Sequence, residues 1–148
     1  TIPSRAEAAA LVRLLSERLD ATAWITFSCR DGRHTAAGDA IAECARWLDA
    51  VPQVVAVGVN CSTPRDATEA VPLAHRVGGR PVVVYPNSGE GWDAVSRTWV
   101  ATDESPHFPV DRWVNEGARL VGGCCRVTPD DIAAMAVQLR TLSDVPDH

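Results

Sequence analysis

The apolar residues of this chain change period along its length, and each change marks an element. Ser4 and Glu7 form a capping-box pattern ahead of residues 5–19, where Leu11, Leu14, Leu15 and Leu19 recur at helical spacing. Residues 23–28 (Ala-Trp-Ile-Thr-Phe-Ser) read as a strand, followed by a glycine-containing loop to Gly38. Over 39–48, Ile41, Cys44, Ala45 and Leu48 fall on one face and predict the next helix. Residues 54–59 are a continuous apolar run rich in valine, the pattern of a strand buried on both faces. Thr63 caps a further helix with Pro64 at its first position and Asp66 in its first turn, and Pro72 should kink or split it. Residues 81–85 (Pro-Val-Val-Val-Tyr) predict a third buried strand, entered through Gly78-Gly79. A long polar segment with Trp92 and Trp99 runs from Pro86 to about Pro109, and a short helix is expected over 111–116. Residues 119–121 make a fourth strand, which Gly122-Gly123-Cys124-Cys125 leaves at its carboxyl end. Thr128-Pro129-Asp130-Asp131 caps a last helix to about 142, with a frayed tail from Ser143.

The order is therefore α-β-α-β-α-β-α-β-α, without repeats, on a chain of 148 residues that has room for one domain. Alternation with apolar strands predicts a parallel sheet joined by crossovers. A flavodoxin-like doubly wound sheet and part of a (β/α)-barrel both fit, and periodicity does not choose between them.

Composition narrows the function. Hydrophobic residues at 46% are enough to build a core, and 22% charge excludes a disordered chain. A net charge of −5 offers nothing to a nucleic-acid backbone or an anionic membrane, so neither is expected as a partner. Every basic side chain other than histidine is arginine, which with the abundant alanine reads as codon bias. No apolar stretch approaches the ~20 residues that cross a bilayer. The chain opens at Thr1 without Met or a charged-then-apolar leader, so a cut, soluble, cytoplasmic protein is expected. The 5 cysteines (Cys29, Cys44, Cys61, Cys124, Cys125) are an odd number in a chain built on long apolar strands. They do not read as a secreted disulfide framework, and a bridge between the neighbours Cys124 and Cys125 would be strained. Thiolates for a metal or for catalysis are the better reading.

Ligand sites in parallel α/β folds lie at the carboxyl ends of the strands. The four strands end in Phe27-Ser28-Cys29, Val59-Asn60-Cys61, Tyr85-Pro86-Asn87-Ser88 and Gly122-Gly123-Cys124-Cys125. Cys61, Cys124 and Cys125 can thus converge across the third strand. Three thiolates with a fourth position left over describe a catalytic zinc site, since a structural site closes with a fourth Cys or His. The two glycines before Cys124 would let the backbone turn sharply enough for successive thiols to face one ion. Against this stands packing, because buried cysteines behave as small apolar residues. That reading is taken for Cys44, on a helix face, and for Cys29 as a bystander.

Gly58-Val59-Asn60-Cys61, Val84-Tyr85-Pro86-Asn87-Ser88-Gly89-Glu90 and Gly122-Gly123-Cys124-Cys125-Arg126-Val127-Thr128-Pro129 resemble the motifs of the homocysteine S-methyltransferase family. Trp24-Ile25-Thr26-Phe27-Ser28 and Thr1-Ile2-Pro3-Ser4 fit its pattern too, so the match runs nearly end to end. The double-cysteine motif is its most specific part. The likeness is greatest to the bacterial and plant enzymes that use S-methylmethionine or S-adenosylmethionine. The resemblance implies a (β/α)8 barrel holding Zn(2+) through Cys61, Cys124 and Cys125. A whole barrel needs ~250 residues, so residues 1–148 would be a single partial domain, the C-terminal half with about four β/α units. In the family an acidic residue just before the Thr-Ile-Pro helps hold the substrate amino group; its place here precedes Thr1.

The expected reaction is methyl transfer from a sulfonium donor to the homocysteine thiolate, giving methionine. A thiol with a pKa near ~8.5 is mostly protonated at neutral pH, and coordination supplies the thiolate. No general base is required, and no catalytic residue is expected beyond the zinc site. Asn87, Ser28, Glu90 and Asn60 are candidates for substrate binding. For Asn87 the competing roles are a turn-forming residue and a carbonyl for the open zinc position; Asn60 may instead bond backbone at its strand end. His34, His75 and His107 are expected to be solvated, and Trp92, Trp99 and Trp113 to pack in the core or a lid. Two other readings compete. One is a truncated, non-catalytic half-barrel that binds zinc and thiols. The other is a phosphate site on Gly122-Gly123 before a helix, which has no use for two thiols. Open strand edges predict a homo-oligomer or a need for the absent N-terminal half, with Val55, Val57, Val59 and Val83 on the inner face.

Overall fold

The computed structural model describes residues 1–18, 20–101 and 107–143. The expectations for Leu19 and for the tail beyond Ser143 lie outside them. The elements are α1 (Arg5–Ser16), β1 (Ala23–Phe27), α2 (Ile41–Asp49), β2 (Val54–Asn60), α3 (Pro64–Val77), β3 (Val82–Tyr85), β4 (Gly91–Asp93), β5 (Thr98–Val100), α4 (Val110–Asn115), β6 (Ala118–Val121) and α5 (Pro129–Ser143).

The helix starts follow their caps. Ser4 Oγ accepts from the Glu7 N–H at 3.2 Å and Thr63 Oγ1 from the Asp66 N–H at 3.1 Å. At α5 the capping is reciprocal: Thr128 Oγ1 accepts from the Asp131 N–H at 3.2 Å, and Asp131 Oδ2 accepts from the Thr128 N–H at 2.8 Å. α2 starts two residues later than its pattern predicts. Asp39 is drawn off to the Arg5 N–H (2.8 Å) and the Thr35 hydroxyl (3.3 Å), and the N-cap position falls to Ala40, which makes no side-chain cap.

The α/β expectation holds as a four-stranded parallel sheet in the order β1-β2-β3-β6, with β1 and β6 at its edges. Ile25, Phe27, Val57, Val59, Val82 and Val84 form one core with Ile41, Cys44, Leu48, Ala67, Val71 and Ala74 of α2 and α3. Strand alternation then places Thr26, Ala56, Gly58, Asn60, Val83 and Tyr85 on the opposite face. The expectation that Val55, Val57 and Val59 share a face with Val83 is therefore corrected. Val57 and Val59 look toward the helices, and Val55, 44% exposed, sits where the β1–β2 register slips between Val54 and Ala56. A run of valines carries no mark of its faces, and one extra residue exchanges them. On the helix-free face the Thr26 and Tyr85 hydroxyls meet at 2.6 Å. Between their strands lies Gly58, where a Cβ would stand 1.8 Å from the Val83 carbonyl oxygen.

Two further expectations are corrected. Pro72 does not split α3, which runs unbroken from Pro64 to Val77. Burial of Ala67, Ala70, Val71 and Ala74 against the sheet and α2 outweighs the lost backbone bond. The same helix is tied to α4 at Thr68, whose hydroxyl donates to the Pro64 carbonyl at 2.7 Å and accepts from the fully buried Trp113 indole at 2.7 Å. The expected element order gains two strands in the polar segment after Pro86: β4 and β5 pair as an antiparallel hairpin, with Trp92 and Trp99 edge to face at 5.2 Å. No helix among the described residues is long and apolar enough to cross a membrane.

Candidate metal centre

The carboxyl ends of β2, β3 and β6 lie side by side, so the loops that leave them can be laced together. Cys61, the first residue past β2, takes a left-handed conformation with φ 50, and its N–H points at the Tyr85 carbonyl at 3.4 Å. Past β6, the Cys124 N–H donates to the Pro86 carbonyl (2.8 Å), the Cys125 N–H to Asn87 Oδ1 (3.2 Å), and the Ser88 N–H returns to the Cys125 carbonyl (3.0 Å). The glycines ahead of Cys124 do not supply the turn by a left-handed backbone, as the sequence led us to expect. The positive φ falls instead on Arg126, at 62, while Gly123 makes room: a Cβ there would lie 2.2 Å from Val127 Cγ1.

This lacing gathers the half-buried sulfurs of Cys61, Cys124 and Cys125 within 4.8 Å of one another. Cys125 Sγ is 3.8 Å from each of the other two, and Cys61 and Cys124 are 3.0 Å apart. A tetrahedral ion with metal–sulfur bonds of about 2.3 Å sets its sulfurs roughly 3.8 Å apart, so two of the three spacings already suit one. The shorter one is a contact between Cys61 and Cys124 in which either thiol can donate to the other. Burial pushes the Cys61 thiol up to about 12, with hydrogen bonding to Cys124 adding to it. Burial pushes Cys124 up as well, but hydrogen bonds from Cys61, Cys125 and Asn60 outweigh it and hold that thiol below its ordinary value. A second feature fits a ligand here. The Asn60 side chain, 1% exposed, donates to Thr1 Oγ1 at 2.6 Å and bonds to Cys124, yet its Oδ1 has no partner. The three cysteines can hold a metal ion.

The remaining cysteines stay out of the cluster. Burial raises Cys29 to about 12 and Cys44 to about 11, so both are protonated thiols that pack. Of the other candidates, Asn87 reaches the cluster through its bond to Cys125, and Glu90 reaches it through Arg126, with which it pairs. Ser28 has no bond to the three cysteines; its backbone N–H joins Ile2 and its carbonyl joins Ala36. His75 and His107 are exposed, and His34 sits on Asp31 at 3.0 Å. Trp113 is core, while Trp92 is 53% exposed on the hairpin. Sequence reasoning missed three participants. Thr1 bonds Asn60 and Cys61, Ser62 Oγ ties the Cys29 N–H to the Asn60 carbonyl, and Arg126 closes on Glu90. Arg126 and Thr1 both stood in the motifs that carry the family resemblance, Arg126 as a charged residue directly after the cysteine pair, but neither was assigned a role; nothing in the pattern marked Ser62.

Three thiols gathered at the carboxyl ends of β2 and β6, on either side of β3, define an α/β protein whose cysteines can hold a metal ion. The homocysteine S-methyltransferase family model matches residues 1–139, and the chain belongs to that family. Among curated relatives, a homocysteine S-methyltransferase of Bacillus subtilis (strain 168) is 42% identical over 144 residues, covering 96% of this chain and 46% of that protein. A selenocysteine methyltransferase of Astragalus bisulcatus is 43% identical, covering 88% of this chain and 40% of its own length. The metallated form of the homocysteine methyltransferase MmuM from Escherichia coli superposes with a TM-score of 0.74 at 38% identity, over 92% of this chain and 42% of that one. The chain thus spans less than half the length of the relatives it matches.

Proposed function

We propose that the chain is the zinc-bearing C-terminal half of a (β/α)8 methyltransferase barrel that transfers a methyl group from a sulfonium donor, S-methylmethionine or S-adenosylmethionine, to homocysteine. The observation that carries this reading is the convergence of Cys61, Cys124 and Cys125 within 4.8 Å in a chain of this family. Those three cysteines would hold the ion, which when bound lowers the pKa of a substrate thiol into the physiological range. The homocysteine sulfur then forms a bond to the methyl carbon while the carbon–sulfonium bond breaks. The bonding pair leaves with the donor sulfur, which becomes a neutral thioether, and the thiol proton passes to solvent.

What the chain's own residues contribute is placement. Asn87 fixes the Cys125 backbone, and Asn60 keeps an unpaired acceptor beside Cys124 suited to a substrate N–H. Ser28 lies at the end of β1, on the same rim of the sheet. A second reading, a non-catalytic half-barrel, is favoured by one observation: Leu11, Leu14 and Trp24 stay 44%, 59% and 54% exposed on the α1–β1 side. Methionine formation from homocysteine and each sulfonium, assayed on this chain and on a form extended upstream of Thr1, separates the two. Activity only in the extended form supports the half-barrel with the missing half supplying the rest of the pocket. Zinc-free protein under reducing conditions with excess zinc sinks both readings.

A further inference from the structure

The loop after β3 and the cysteine turn after β6 are joined by more than backbone bonds. Arg126, next to Cys125, is held at φ 62, a conformation that side chains other than glycine adopt rarely and usually for a reason. Its guanidinium closes on Glu90 with two contacts, Nε to Oε2 and Nη2 to Oε1 at 3.2 Å, a fork-on-fork pairing. Ser88 Oγ donates to the same Glu90 Oε2 at 3.1 Å. Gly89, at φ 104, turns the loop between Ser88 and Glu90. Both carboxylate oxygens are therefore engaged within the protein, which leaves Glu90 poorly placed to receive a substrate amine. Cys61 belongs to another loop, the one that leaves β2.

We propose that Glu90 and Arg126 are positioning residues, a latch that clamps the Cys124–Cys125 turn onto the β3 loop and so holds two sulfurs in register with Cys61 for metal uptake. The latch rests on the metal reading of the three thiols. Its logic is that of outer-shell support: partners that orient ligands lose about 10–100-fold in metal affinity when removed. An exposed pair sits at the lower end, because water and salt weaken it. Arginine is required because lysine offers a point charge and no fork.

The test is zinc affinity by chelator competition, with cobalt(II) thiolate absorption as a second signal, on the chain and on Glu90→Gln, Arg126→Lys and the exchanged pair Glu90→Arg/Arg126→Glu. Each single substitution should weaken zinc about 10-fold while the melting temperature of the metal-free protein holds. The exchanged pair should regain more than half of that loss on a logarithmic scale. Wild-type affinity in both single variants overturns the latch, as does an exchanged pair no better than either single variant. A fall in affinity that merely tracks a fall in metal-free melting temperature also overturns it. A wild-type chain that takes up neither ion defeats the metal reading itself, and that control tells the two failures apart.

Discussion

The two ends of the β1-β2-β3-β6 sheet differ in how far the chain satisfies itself. At the carboxyl ends of β2, β3 and β6, successive loops exchange backbone and side-chain bonds, and the three sulfurs sit half-buried among them. At the β1 edge, α1 and β1 instead border a groove of about 420 Å³ lined by Ile2, Leu11, Leu14, Leu15, Trp24 and Tyr85. There, among the described residues, the outer side of β1 is paired by a short parallel contact from Ile2, whose N–H reaches the Thr26 carbonyl at 3.0 Å and whose carbonyl accepts from the Ser28 N–H at 3.1 Å. Leu14 and Trp24 on its walls are 59% and 54% exposed. The site end is thus closed by the chain's own segments, 60–62, 85–90 and 122–126 with Thr1, whereas the groove leaves its apolar walls open.

The strongest way to break this contrast is at the sulfurs. Cys124→Ser removes a ligand and should cost more than the ~100-fold that bounds the loss of an outer-shell partner. Cys44→Ser, on α2 and outside the cluster, should leave zinc affinity unchanged. Metal analysis after dialysis checks both. A serine variant at position 124 that keeps full zinc would show that the gathered sulfurs are packing.

The opposite region predicts a change in association with little change in folding. Leu14→Glu with Trp24→Ser should lower light scattering and dye binding at micromolar concentration. Because both side chains are more than half exposed, each substitution should move stability by no more than ~0.5 kcal/mol. Equal scattering from the wild type and the double variant, with both compact monomers, would remove the distinction between the two ends.

How much of this was legible in sequence follows from the same contrast. The cysteines at strand ends, the buried valine runs and the caps at Ser4, Thr63 and Thr128 are short-range signals, and each appears where it was read. The leucine stripe of α1 was read as a helix face, correctly, yet Leu11 and Leu14 find nothing to cover them among the described residues. Periodicity reports that a face wants burial and says nothing of what buries it. The faces of β2 were illegible because valine stands on both. The β4–β5 hairpin was illegible because each of its strands is 3 residues long, too few for a period. Pro72 misled because a local rule was outweighed by packing along the rest of α3.

A smaller effect sharpens the contrast on the helix-free face itself. Thr26→Val keeps the shape of the side chain and removes its 2.6 Å bond to the Tyr85 hydroxyl, across a sheet that buries Thr26 to 3% exposure. One such bond contributes about 1 kcal/mol, so the unfolding free energy should fall by that amount, read as a lower denaturant midpoint with the slope unchanged. The loss should come without any change in zinc affinity, since neither side chain bonds to the cysteines and the Tyr85 contact to Cys61 runs through its backbone carbonyl. A neutral result would mean that Tyr85 finds another partner.

The smallest effect lies in the loop after β1, at the exposed carboxylate of Asp31. Asp31 Oδ1 accepts from the Arg33 N–H at 3.0 Å and the His34 N–H at 2.8 Å, and the His34 ring lies 3.0 Å from Oδ2. Desolvation pushes this carboxyl up, but the bonds from Arg33 and His34 outweigh it and hold it at about 2, against an ordinary 3.8. A depressed carboxylate stabilises the fold above its unfolded pKa and loses that contribution as pH falls through the folded value. The stabilisation should therefore be complete above about pH 5 and fade between there and pH 2, with Asp31→Asn removing that slope and leaving the melting curve at pH 7 only slightly lowered. Parallel pH profiles for the variant and the wild type below pH 5 would show that the loop gains nothing from the charge, and that its order comes from the Ser28–Ala36 and Thr35–Asp39 backbone bonds.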